Sequence, residues 1–465
     1  MAFMQSYGAA EVVTGSCHLL QLKSGLNIMV DCGMFQGKNE EKNFQPFGFN
    51  PKDVDILLIT HGHLDHIGRI PKLVKEGFKG KIVTLRSTMD LAEVILLDSA
   101  HLMEEEFRTR YRKAQRRGKE NKVKAPLYTA GDVEVVYELP IEYAQYDKVI
   151  SLNKDVKVVF RNAGHILDSA TIQIDFNEEG ESKSIVFSGD LGNHNDMVMQ
   201  SPEQVKKTDT LYIESTYGDR NHKGIKESEE EFKQVIKETL LSQGNVLIPS
   251  FAIERTQEIL CILKQMYHND ELPKCKIYLD SPMAIRATNL YNLYHDELSA
   301  CCNDMLQKDG TIFEFPYLHY TLKPEESKKI NDEDGCIIIA GSGMCTGGRI
   351  MHHFKNRIWN PKNSVIFVGF QAYGTLGRKI VEGAKLIKLY HEKVQVKAKI
   401  YTINGFSAHA DQKELLEWIE GFEHLDNIYL IHGEKDKQKI FKKAIKEKMP
   451  DKKVHIVKEA EQIWV

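Results

Sequence analysis

A dense group of potential metal ligands follows a short apolar run early in the chain. Residues 60–66 read Thr-His-Gly-His-Leu-Asp-His, which places three imidazoles and one carboxylate within seven positions. These groups are costly to bury unpaired, so packing does not explain the cluster. Because alternate residues of an extended segment point the same way, His61 and His63 can reach one metal ion. Asp65 and His66, where the chain turns into a helix, can reach a second one.

Three further candidate ligands stand where other predicted strands end, namely His165, Asp190 and His432. Each lies beside a glycine that lets the backbone turn sharply. They supply the donors that two metal shells would still need. We expect His61, His63 and His165 on one ion, Asp65, His66 and His432 on the other, and Asp190 bridging the two. Asp31 is expected to orient a ligand histidine without contacting the metal itself.

This donor set predicts the chemistry of the site. Nitrogen and oxygen ligands favour Zn²⁺ and also admit Mn²⁺ or iron, so we expect two Zn²⁺ ions per chain, with Mn²⁺ as the alternative. A metal pair about 3.5–4 Å apart lowers the pKa of a bridging water and stabilises an anionic transition state. Hydrolysis is therefore the predicted reaction, and the donor set alone leaves the substrate open.

The bulk properties place few limits on the substrate. The 465 residues allow two or three domains, and no apolar stretch approaches the length that spans a bilayer, so no membrane partner is expected. Eight cysteines without a CxxC pair indicate reduced thiols and a cytoplasmic enzyme. A net charge of −4 argues against a generally basic nucleic-acid-binding surface but leaves a local basic groove open.

One segment is strongly basic. Nine Lys or Arg residues lie between Arg108 and Lys124, after an acidic start at Glu104. A solvated helical hairpin is one interpretation, and a basic wall beside a phosphate-bearing substrate is the other.

Short β-rich runs alternate with helical patterns, which indicates an α/β fold. A fresh strand at 210–214 suggests a domain boundary close before it. We predict a first domain over 1–205, a second over 206–385, and a final segment over 386–465 that returns to the first domain. Predicted strands are 27–31, 55–60, 81–85, 156–162, 171–176 and 184–188, and predicted helices are 90–106, 227–242, 255–267 and 412–422.

Taken in order, Asp31, the cluster at 61–66, His165 and Asp190 resemble the motif series of the metallo-β-lactamase fold. Over almost the whole chain they resemble the β-CASP nucleases, whose motif A matches Glu214-Ser-Thr-Tyr-Gly218, motif B Gly405-Phe-Ser-Ala-His409-Ala-Asp411 and motif C Ile431-His-Gly-Glu434. The most similar members are bacterial and archaeal ribonucleases akin to the nuclease subunit of the eukaryotic cleavage and polyadenylation specificity factor. The resemblance implies an αββα sandwich with an inserted β-CASP α/β domain and a terminal RNA-specificity segment.

The resemblance also implies an activity. It predicts a zinc-dependent ribonuclease that cuts single-stranded RNA endonucleolytically, with 5′-exonucleolytic action as a second mode, and it favours a homodimer. A hydroxide held by both metals would attack phosphorus, His409 would be the general acid, and Glu214 would orient it. Asp65, Glu214 and His409 are thus the catalytic candidates. Two alternatives stay open: His409 as a further ligand or substrate-positioning group, and Glu214 as a structural acceptor.

Two glycine-rich runs, 340–349 and 369–378, suit phosphate binding through backbone N–H groups. Tight turns between strands are the alternative. The candidate phosphate contacts are Ser342, Gly343, Arg349 and Arg378. His352 and His353, just beyond, are expected at the surface or in a hinge. Asp168 departs from the family pattern, and it either tunes the site or caps a turn.

Two rival functions remain. The first keeps the fold and changes the substrate, to DNA or a small-molecule ester. His432 in motif C and the full second domain argue against it, because DNA-directed members typically carry an apolar residue there. The second is a non-catalytic RNA-binding subunit, which the intact ligand set argues against. A duplex is too wide to bring a phosphate onto buried metals, so single-stranded RNA is the expected partner.

Overall fold

Four β-sheets organise the chain in the computed structural model, which describes residues 2–194, 196–369, 371–403 and 405–465. The strands, in chain order, are β1 (Phe3–Ser6), β2 (His18–Gln21), β3 (Asn27–Val30), β4 (Ile56–Leu58), β5 (Lys81–Leu85), β6 (Ile141–Ala144), β7 (Val149–Ser151), β8 (Val156–Asn162), β9 (Ala170–Glu178), β10 (Glu181–Phe187), β11 (Thr210–Ile213), β12 (Val246–Pro249), β13 (Ile277–Leu279), β14 (Leu318–Tyr320), β15 (Ile337–Ala340), β16 (Ser364–Phe367), β17 (Leu386–Leu389), β18 (Glu392–Gln395), β19 (Lys399–Thr402), β20 (Asn427–Leu430), β21 (Lys453–Ile456) and β22 (Ile463–Trp464).

The helices connect these strands, and no described helix is long and apolar enough to cross a membrane. They are α1 (Leu64–Ile67), α2 (Ile70–Lys75), α3 (Arg86–Gln115), α4 (Ala130–Val136), α5 (Ile225–Leu241), α6 (Arg255–His268), α7 (Pro282–Leu293), α8 (Ala300–Asp309), α9 (Pro324–Lys329), α10 (Ile350–Arg357), α11 (Leu376–Val381), α12 (Gln412–Glu420) and α13 (Lys435–Lys448). Short 3₁₀ turns cover Gly37–Phe44, Pro51–Asp53, Glu120–Lys122, His295–Glu297 and Ile330–Asp332.

Two seven-stranded sheets form the first unit, which comprises the described parts of 1–194, 201–221 and 409–465. Their strand orders are β22-β1-β2-β3-β4-β5-β6 and β21-β20-β11-β10-β9-β8-β7. Side chains alternate across the second sheet: Ile185 and Phe187 enter the core between the sheets, while Val186 joins the cluster formed with helices α12 and α13. This is the sandwich that the motifs predicted.

The second unit comprises the described parts of 195–200 and 222–408. Its six-stranded sheet, ordered β14-β13-β15-β12-β16-β19, is parallel throughout. The strands are apolar and buried, as expected for a parallel sheet covered by helices. The antiparallel pair β17–β18 stands apart as a hairpin.

The observed unit boundaries differ from those predicted at 206 and 386. Strand β11 pairs in parallel with β10 and β20, so it belongs to the first unit and does not open the second. Strand β19 pairs with β16, which keeps the chain in the second unit as far as residue 408. A strand's partner decides its domain, and a single sequence does not reveal partners.

The charged segment after Glu104 is also arranged differently from the predicted hairpin. Helix α3 runs without a break from Arg86 to Gln115. The basic residues therefore lie in the C-terminal part of one long helix and in the turn that follows it. The other predicted helices are confirmed within a few residues, and β8 matches its predicted range.

Candidate metal centre

The carboxyl ends of parallel strands bring the candidate ligands together. Strands β10, β11 and β20 run parallel side by side, so the residues that follow them emerge at one edge of the second sheet. Asp190, Glu214 and His432 stand at this edge. In the first sheet, β3 and β4 are parallel neighbours, which places Asp31 beside the start of the histidine cluster.

Three imidazoles converge on one point. The Nδ1 atom of His63 lies 3.2 Å from Nε2 of His61 and 3.1 Å from Nε2 of His165. His61 and His165 are buried, and their Nε2 atoms lie 3.5 and 3.6 Å from Oδ2 of Asp190. The four ligand atoms lie within 4.8 Å of one another.

A second group forms beside the first. The Nε2 atoms of His66 and His432 are 3.2 Å apart, and Oδ2 of Asp65 lies 3.6 Å from Nε2 of His432. The Oδ1 atom of Asp190 lies 3.4 Å from Nε2 of His66 and 3.4 Å from Nδ1 of His432. Each carboxylate oxygen of Asp190 therefore faces a different group.

The spacing suits tetrahedral ions. Donor atoms about 2.0–2.2 Å from a tetrahedral ion lie about 3.3–3.6 Å from one another. The observed separations of 3.1–3.6 Å fall close to that range. Among the described residues, Oδ1 of Asp190 is buried without a hydrogen-bond partner, which is costly unless a cation satisfies it. The residues present thus fit a pair of zinc ions.

A layer of supporting groups fixes the ring orientations. Asp31 contacts a candidate ligand histidine, since its Oδ2 lies 2.7 Å from Nδ1 of His66. Thr60 donates its hydroxyl and its backbone N–H to the same carboxylate, at 2.8 Å each. Thr216 Oγ1 lies 3.1 Å from Nδ1 of His432. The sequence analysis assigned neither threonine a role, although Thr60 directly precedes the histidine cluster and Thr216 lies within motif A.

Protonation states in this cluster mostly match ligand chemistry. Burial lowers the pKa of His63 to about 4, and burial together with nearby His66 holds the pKa of His61 well below its usual value. Burial raises the pKa of a carboxyl, but a hydrogen bond from His432 and the charge of His66 outweigh it and lower the pKa of Asp65 to about 2. Neutral imidazoles and ionised carboxylates are the ligating forms.

His66 is the exception. Burial disfavours its charge, but the carboxylates of Asp190 and Asp31 outweigh burial and raise its pKa well above the usual value. A proton and a metal ion therefore compete for this ring.

A histidine–glutamate pair borders the cluster. The Nδ1 atom of His409 lies 3.1 Å from Oε1 of Glu214, which also accepts the backbone N–H of Leu191 at 2.7 Å. Burial lowers the pKa of His409, but the charge and hydrogen bond of Glu214 more than compensate and raise it to about 9. Glu214 is fully buried, while the His409 side chain keeps 20% exposure. The pair can thus present a protonated imidazole beside the candidate metal ligands.

Comparisons with known proteins agree with this geometry. Three family models match in order: the metallo-beta-lactamase superfamily over residues 10–234, the Beta-Casp domain over 256–380, and the Zn-dependent metallo-hydrolase RNA specificity domain over 393–457. Ribonuclease TTHA0252 of Thermus thermophilus is 39% identical over 438 residues, which cover 93% of each chain. The chain belongs to the β-CASP family of metallo-β-lactamase-fold enzymes. It is accordingly a metal-dependent hydrolase, as predicted.

Two archaeal relatives extend the comparison. Transcription termination factor FttA of Methanocaldococcus jannaschii is 32% identical over 449 residues, which cover 92% of this chain and 66% of FttA. The RNase J-like protein of the same organism is 30% identical over 438 residues, covering 94% of this chain and 93% of that protein. The predicted metallo-β-lactamase fold with an inserted β-CASP domain is confirmed.

The candidate phosphate contacts of this β-CASP enzyme lie in the second unit. Arg349 donates to Oδ1 of Asp280 at 2.6 Å and to the carbonyl oxygens of Thr321 and Leu322 at 2.8 Å each. Its guanidinium thus serves internal contacts, and the predicted role in phosphate binding is not favoured.

The other three candidates lie in loops or at a helix start. Ser342 Oγ accepts the backbone N–H of Thr346 at 3.0 Å, which indicates a turn. Gly343 lies under the Phe251 ring, so closely that an added Cβ would come within 2.7 Å of it. Arg378 donates to Glu382 at 2.7 Å one helical turn away and stays 39% exposed. Arg378 is the candidate whose charged group stays most accessible.

Two histidines and one aspartate complete the account. His353 is buried, not at the surface as predicted, because its Nε2 lies 2.6 Å from Oδ2 of the buried Asp280. His352 stacks on Tyr390 with ring centroids 4.6 Å apart. Asp168 accepts a hydrogen bond from the Ser87 hydroxyl in the first turn of α3, and its carbonyl accepts Thr88 Oγ1 at 2.8 Å. These contacts link Asp168 to the start of helix α3.

Proposed function

We propose that this chain is a zinc-dependent endoribonuclease that hydrolyses phosphodiester bonds of single-stranded RNA. The observation that carries the proposal is the complete donor set around Asp190, whose two oxygens face separate histidine groups at 3.4–3.6 Å. A non-catalytic RNA-binding subunit would have no need of such a set.

Seven residues would hold two zinc ions per chain. His61, His63 and His165 would form one shell, Asp65, His66 and His432 the other, and Asp190 would join them. Bound zinc supplies Lewis acidity and a water molecule acidic enough to ionise near neutral pH. Asp31 keeps His66 oriented through its Nδ1 atom, which leaves Nε2 for the metal.

His409 is the proposed general acid for the leaving oxygen. Its Nδ1 atom is engaged by Glu214, so Nε2 is the nitrogen that would deliver the proton. Glu214 keeps the ring charged through neutral pH, because it raises the pKa of His409 to about 9. Glu214 therefore acts as a positioning residue, and its second contact, to Leu191 N–H, holds the carboxylate in place.

RNA is the proposed substrate class for two reasons. The C-terminal region matches a model described as an RNA specificity domain, and relatives along the full length bear the names of ribonucleases. His432, a candidate ligand in motif C, distinguishes the chain from DNA-directed members of the group. A flexible single strand can bring a phosphate to metals held by buried side chains, whereas a rigid duplex is too wide.

Mapping of cleavage products tests the proposal. Zinc-loaded protein is incubated with a 5′-labelled structured RNA and with a DNA oligonucleotide of matched sequence, with and without chelator. We expect internal cuts confined to unpaired RNA, which chelation abolishes and added Zn²⁺ or Mn²⁺ restores. Shortening from the 5′ end alone would assign the exonucleolytic mode, and equal cutting of DNA would contradict the RNA preference.

Variants connect the activity to the site. Asp65→Ala and His409→Ala should both lose cleavage, while His352→Ala, a partly exposed histidine of the second unit, serves as the control. Normal cleavage by both Asp65→Ala and His409→Ala would show that the site is wrongly assigned. Light scattering of the same preparation tests the homodimer that the family resemblance favours.

A further inference from the structure

One short segment, here called the basic arm (residues 108–124), is unusually dense in positive charge. It contains nine Lys or Arg residues and a single acidic residue, Glu120, within a chain whose net charge is −4. The arm alone therefore has a net charge of +8, and the rest of the chain is strongly acidic. A basic cluster on an otherwise acidic chain has the electrostatic character of a nucleic-acid-binding surface.

The arm also extends beyond the packed core. Helix α3 has thirty residues, and the last of them with a buried side chain is Ala100. The fifteen residues that follow to Gln115 span about 22 Å at 1.5 Å per residue. Packing against apolar neighbours thus contributes little to this half of the helix, and its composition is not dictated by the core.

Most of the cations in the arm lack a counter-charge. Arg108 pairs with Glu104 at 3.1 Å, Arg110 pairs with Glu106 at 2.6 Å, and Lys124 contacts Glu41. Within the described part of the chain, six exposed cations of the arm form no ion pair, namely Arg112, Lys113, Arg116, Arg117, Lys119 and Lys122.

This arrangement is unfavourable for the helix by itself. Arg108 and Arg112 are four residues apart, as are Arg112 and Arg116, and like charges at that spacing cost about 0.2–0.5 kcal/mol per pair. Cations in the last turn gain from the helix dipole, which accounts for Arg112 and Lys113 but not for the charges beyond the end. A polyanionic partner would remove the repulsion.

Helix α13 shows how the same chain handles a basic helix without such a partner. It contains seven lysines, but Lys439 pairs with Asp436 at 3.0 Å and Lys448 pairs with Glu420 at 3.0 Å. Its apolar face is anchored in the core by Phe441 and Ile445. The basic arm has no buried apolar residue, and six of its nine cations form no ion pair in the described part of the chain.

We propose that the basic arm is a docking surface for the phosphate backbone of single-stranded RNA, separate from the metal ligands. Its unpaired cations would replace condensed counterions along the strand. Tyr111, 38% exposed and with its ring 5.6 Å from that of Phe107, offers an aromatic surface on which an unpaired base can stack. The proposal depends on the proposed function only in taking RNA as the polymer.

Charge neutralisation tests the arm. One variant carries Arg112→Gln, Lys113→Gln, Arg116→Gln and Arg117→Gln, and a matched control carries Lys439→Gln, Lys442→Gln, Lys443→Gln and Lys446→Gln in α13, with the same change of charge. Both are made in zinc-loaded His409→Ala protein to suppress cutting. Binding of a fluorescein-labelled 30-nucleotide single-stranded RNA is followed by anisotropy from 50 to 200 mM salt.

We expect the arm variant to bind RNA at least tenfold more weakly at low salt and the α13 control to change less than threefold. In the arm variant the slope of log Kd against log salt should fall by up to about 2.8. Each phosphate contact on a single strand contributes about 0.7 to the slope, and four cations are neutralised. With His409 intact, turnover of bis(p-nitrophenyl) phosphate, a small diester without a polynucleotide backbone, should be unchanged.

Two outcomes would overturn the proposal: an arm variant whose affinity and salt slope match those of the parent, or equal weakening in both variants. The first would mean that the arm serves an acidic protein or no partner. Tight RNA binding by a wild-type chain that cuts no RNA would contradict the proposed function and leave the docking surface standing. Far-UV circular dichroism verifies that α3 is still helical.

Discussion

Two buried aspartates, Asp190 in the first unit and Asp280 in the second, stand just beyond strand ends and both contact histidine, yet their surroundings differ. Asp280 is saturated with donors: Arg349, Thr321, Ser327 and His353 all lie 2.6 Å from its oxygens. Asp190 lies 3.4–3.6 Å from four imidazoles, and its Oδ1 atom has no hydrogen-bond partner among the described residues.

The difference lies in the length of the contacts and the kind of partner. Distances near 2.6 Å to arginine and hydroxyl groups close a hydrogen-bond network, which rigidifies the fold. Distances near 3.5 Å between a carboxylate and ring nitrogens are too long for good hydrogen bonds and leave room for an ion. Residue type alone would not separate the two clusters, because both combine aspartate with histidine.

The largest effect should come from replacing each of the two aspartates by the isosteric asparagine. Asp190→Asn should reduce RNA cleavage by about 10³-fold or more, since it would remove the proposed anionic bridge between two zinc ions that stabilise transition-state charge. Asp280→Asn should instead destabilise the fold by about 3–5 kcal/mol, because it leaves Arg349 without its charge partner.

Zinc content and thermal unfolding, measured on both variants, test whether the two substitutions have these opposite effects. Asp190→Asn should lose zinc and change its unfolding temperature little in chelator, whereas folded Asp280→Asn should keep its zinc. If Asp280→Asn lost metal and Asp190→Asn did not, the comparison would be reversed.

The histidine–carboxylate pairs offer the next test. His409→Ala should reduce cleavage about 10²–10⁴-fold, the usual contribution of a general acid, with zinc content unchanged. His353→Ala, which removes a histidine bound to Asp280, should lower the unfolding temperature and leave kcat per folded molecule unchanged. A loss of zinc in His409→Ala would favour the alternative that His409 is a ligand.

The pH dependence of His409 follows from its partner. In the chelated protein its ring should titrate by NMR near pH 9, and Glu214→Gln should lower that midpoint, because the charge of Glu214 is lost while burial and the weaker attraction of Asp190 and Asp65 remain. The raised pKa stabilises the folded chain fully below about pH 6.5, and this contribution is lost as pH rises through about 9. An unchanged midpoint in Glu214→Gln would show that another group sets the charge.

The grouping of the candidate ligands agrees with the sequence more closely than the unit boundaries do, for a physical reason. His61, His63, Asp65 and His66 are close along the chain, and the remaining ligands follow recognisable strand ends. The unit boundaries depend instead on which strands pair, and β11 and β19 pair with strands distant in sequence. The role of Arg349 was hidden for the same reason, since Asp280 lies sixty-nine residues away.

Substitution of Asp31, which supports the candidate ligand His66, should have an effect of intermediate size. Asp31→Asn should lower zinc affinity about 10–100-fold, because the amide polarises the His66 ring less than the carboxylate that lies 2.7 Å from Nδ1. Competition with a chelator of known affinity measures the change, and Asp147→Asn, at an exposed aspartate elsewhere in the first unit, is the control.

Proton release on zinc binding tests whether His66 is a ligand. His66 must lose its proton to bind zinc, because nearby carboxylates raise its pKa. Zinc binding to the chelated protein should therefore release protons and weaken as pH falls. Calorimetry in buffers of different ionisation enthalpy detects the release. Binding without proton exchange would indicate that His66 is not a ligand.

The smallest effects separate the two arginines predicted to contact phosphate. Arg349→Gln should lower the unfolding temperature, because it breaks the pair with buried Asp280, and should leave the KM for RNA unchanged. Arg378→Gln removes an exposed helical pair with Glu382, which is worth no more than about 0.5 kcal/mol.

If Arg378 contacts the strand, the salt slope of KM in Arg378→Gln should fall by about 0.7, the contribution of one phosphate. Arg378→Lys, which keeps the charge, should restore most of the slope. An unchanged slope in Arg378→Gln would assign the second glycine-rich run to turn formation alone, and the second unit would then contribute structure without a phosphate contact from either arginine.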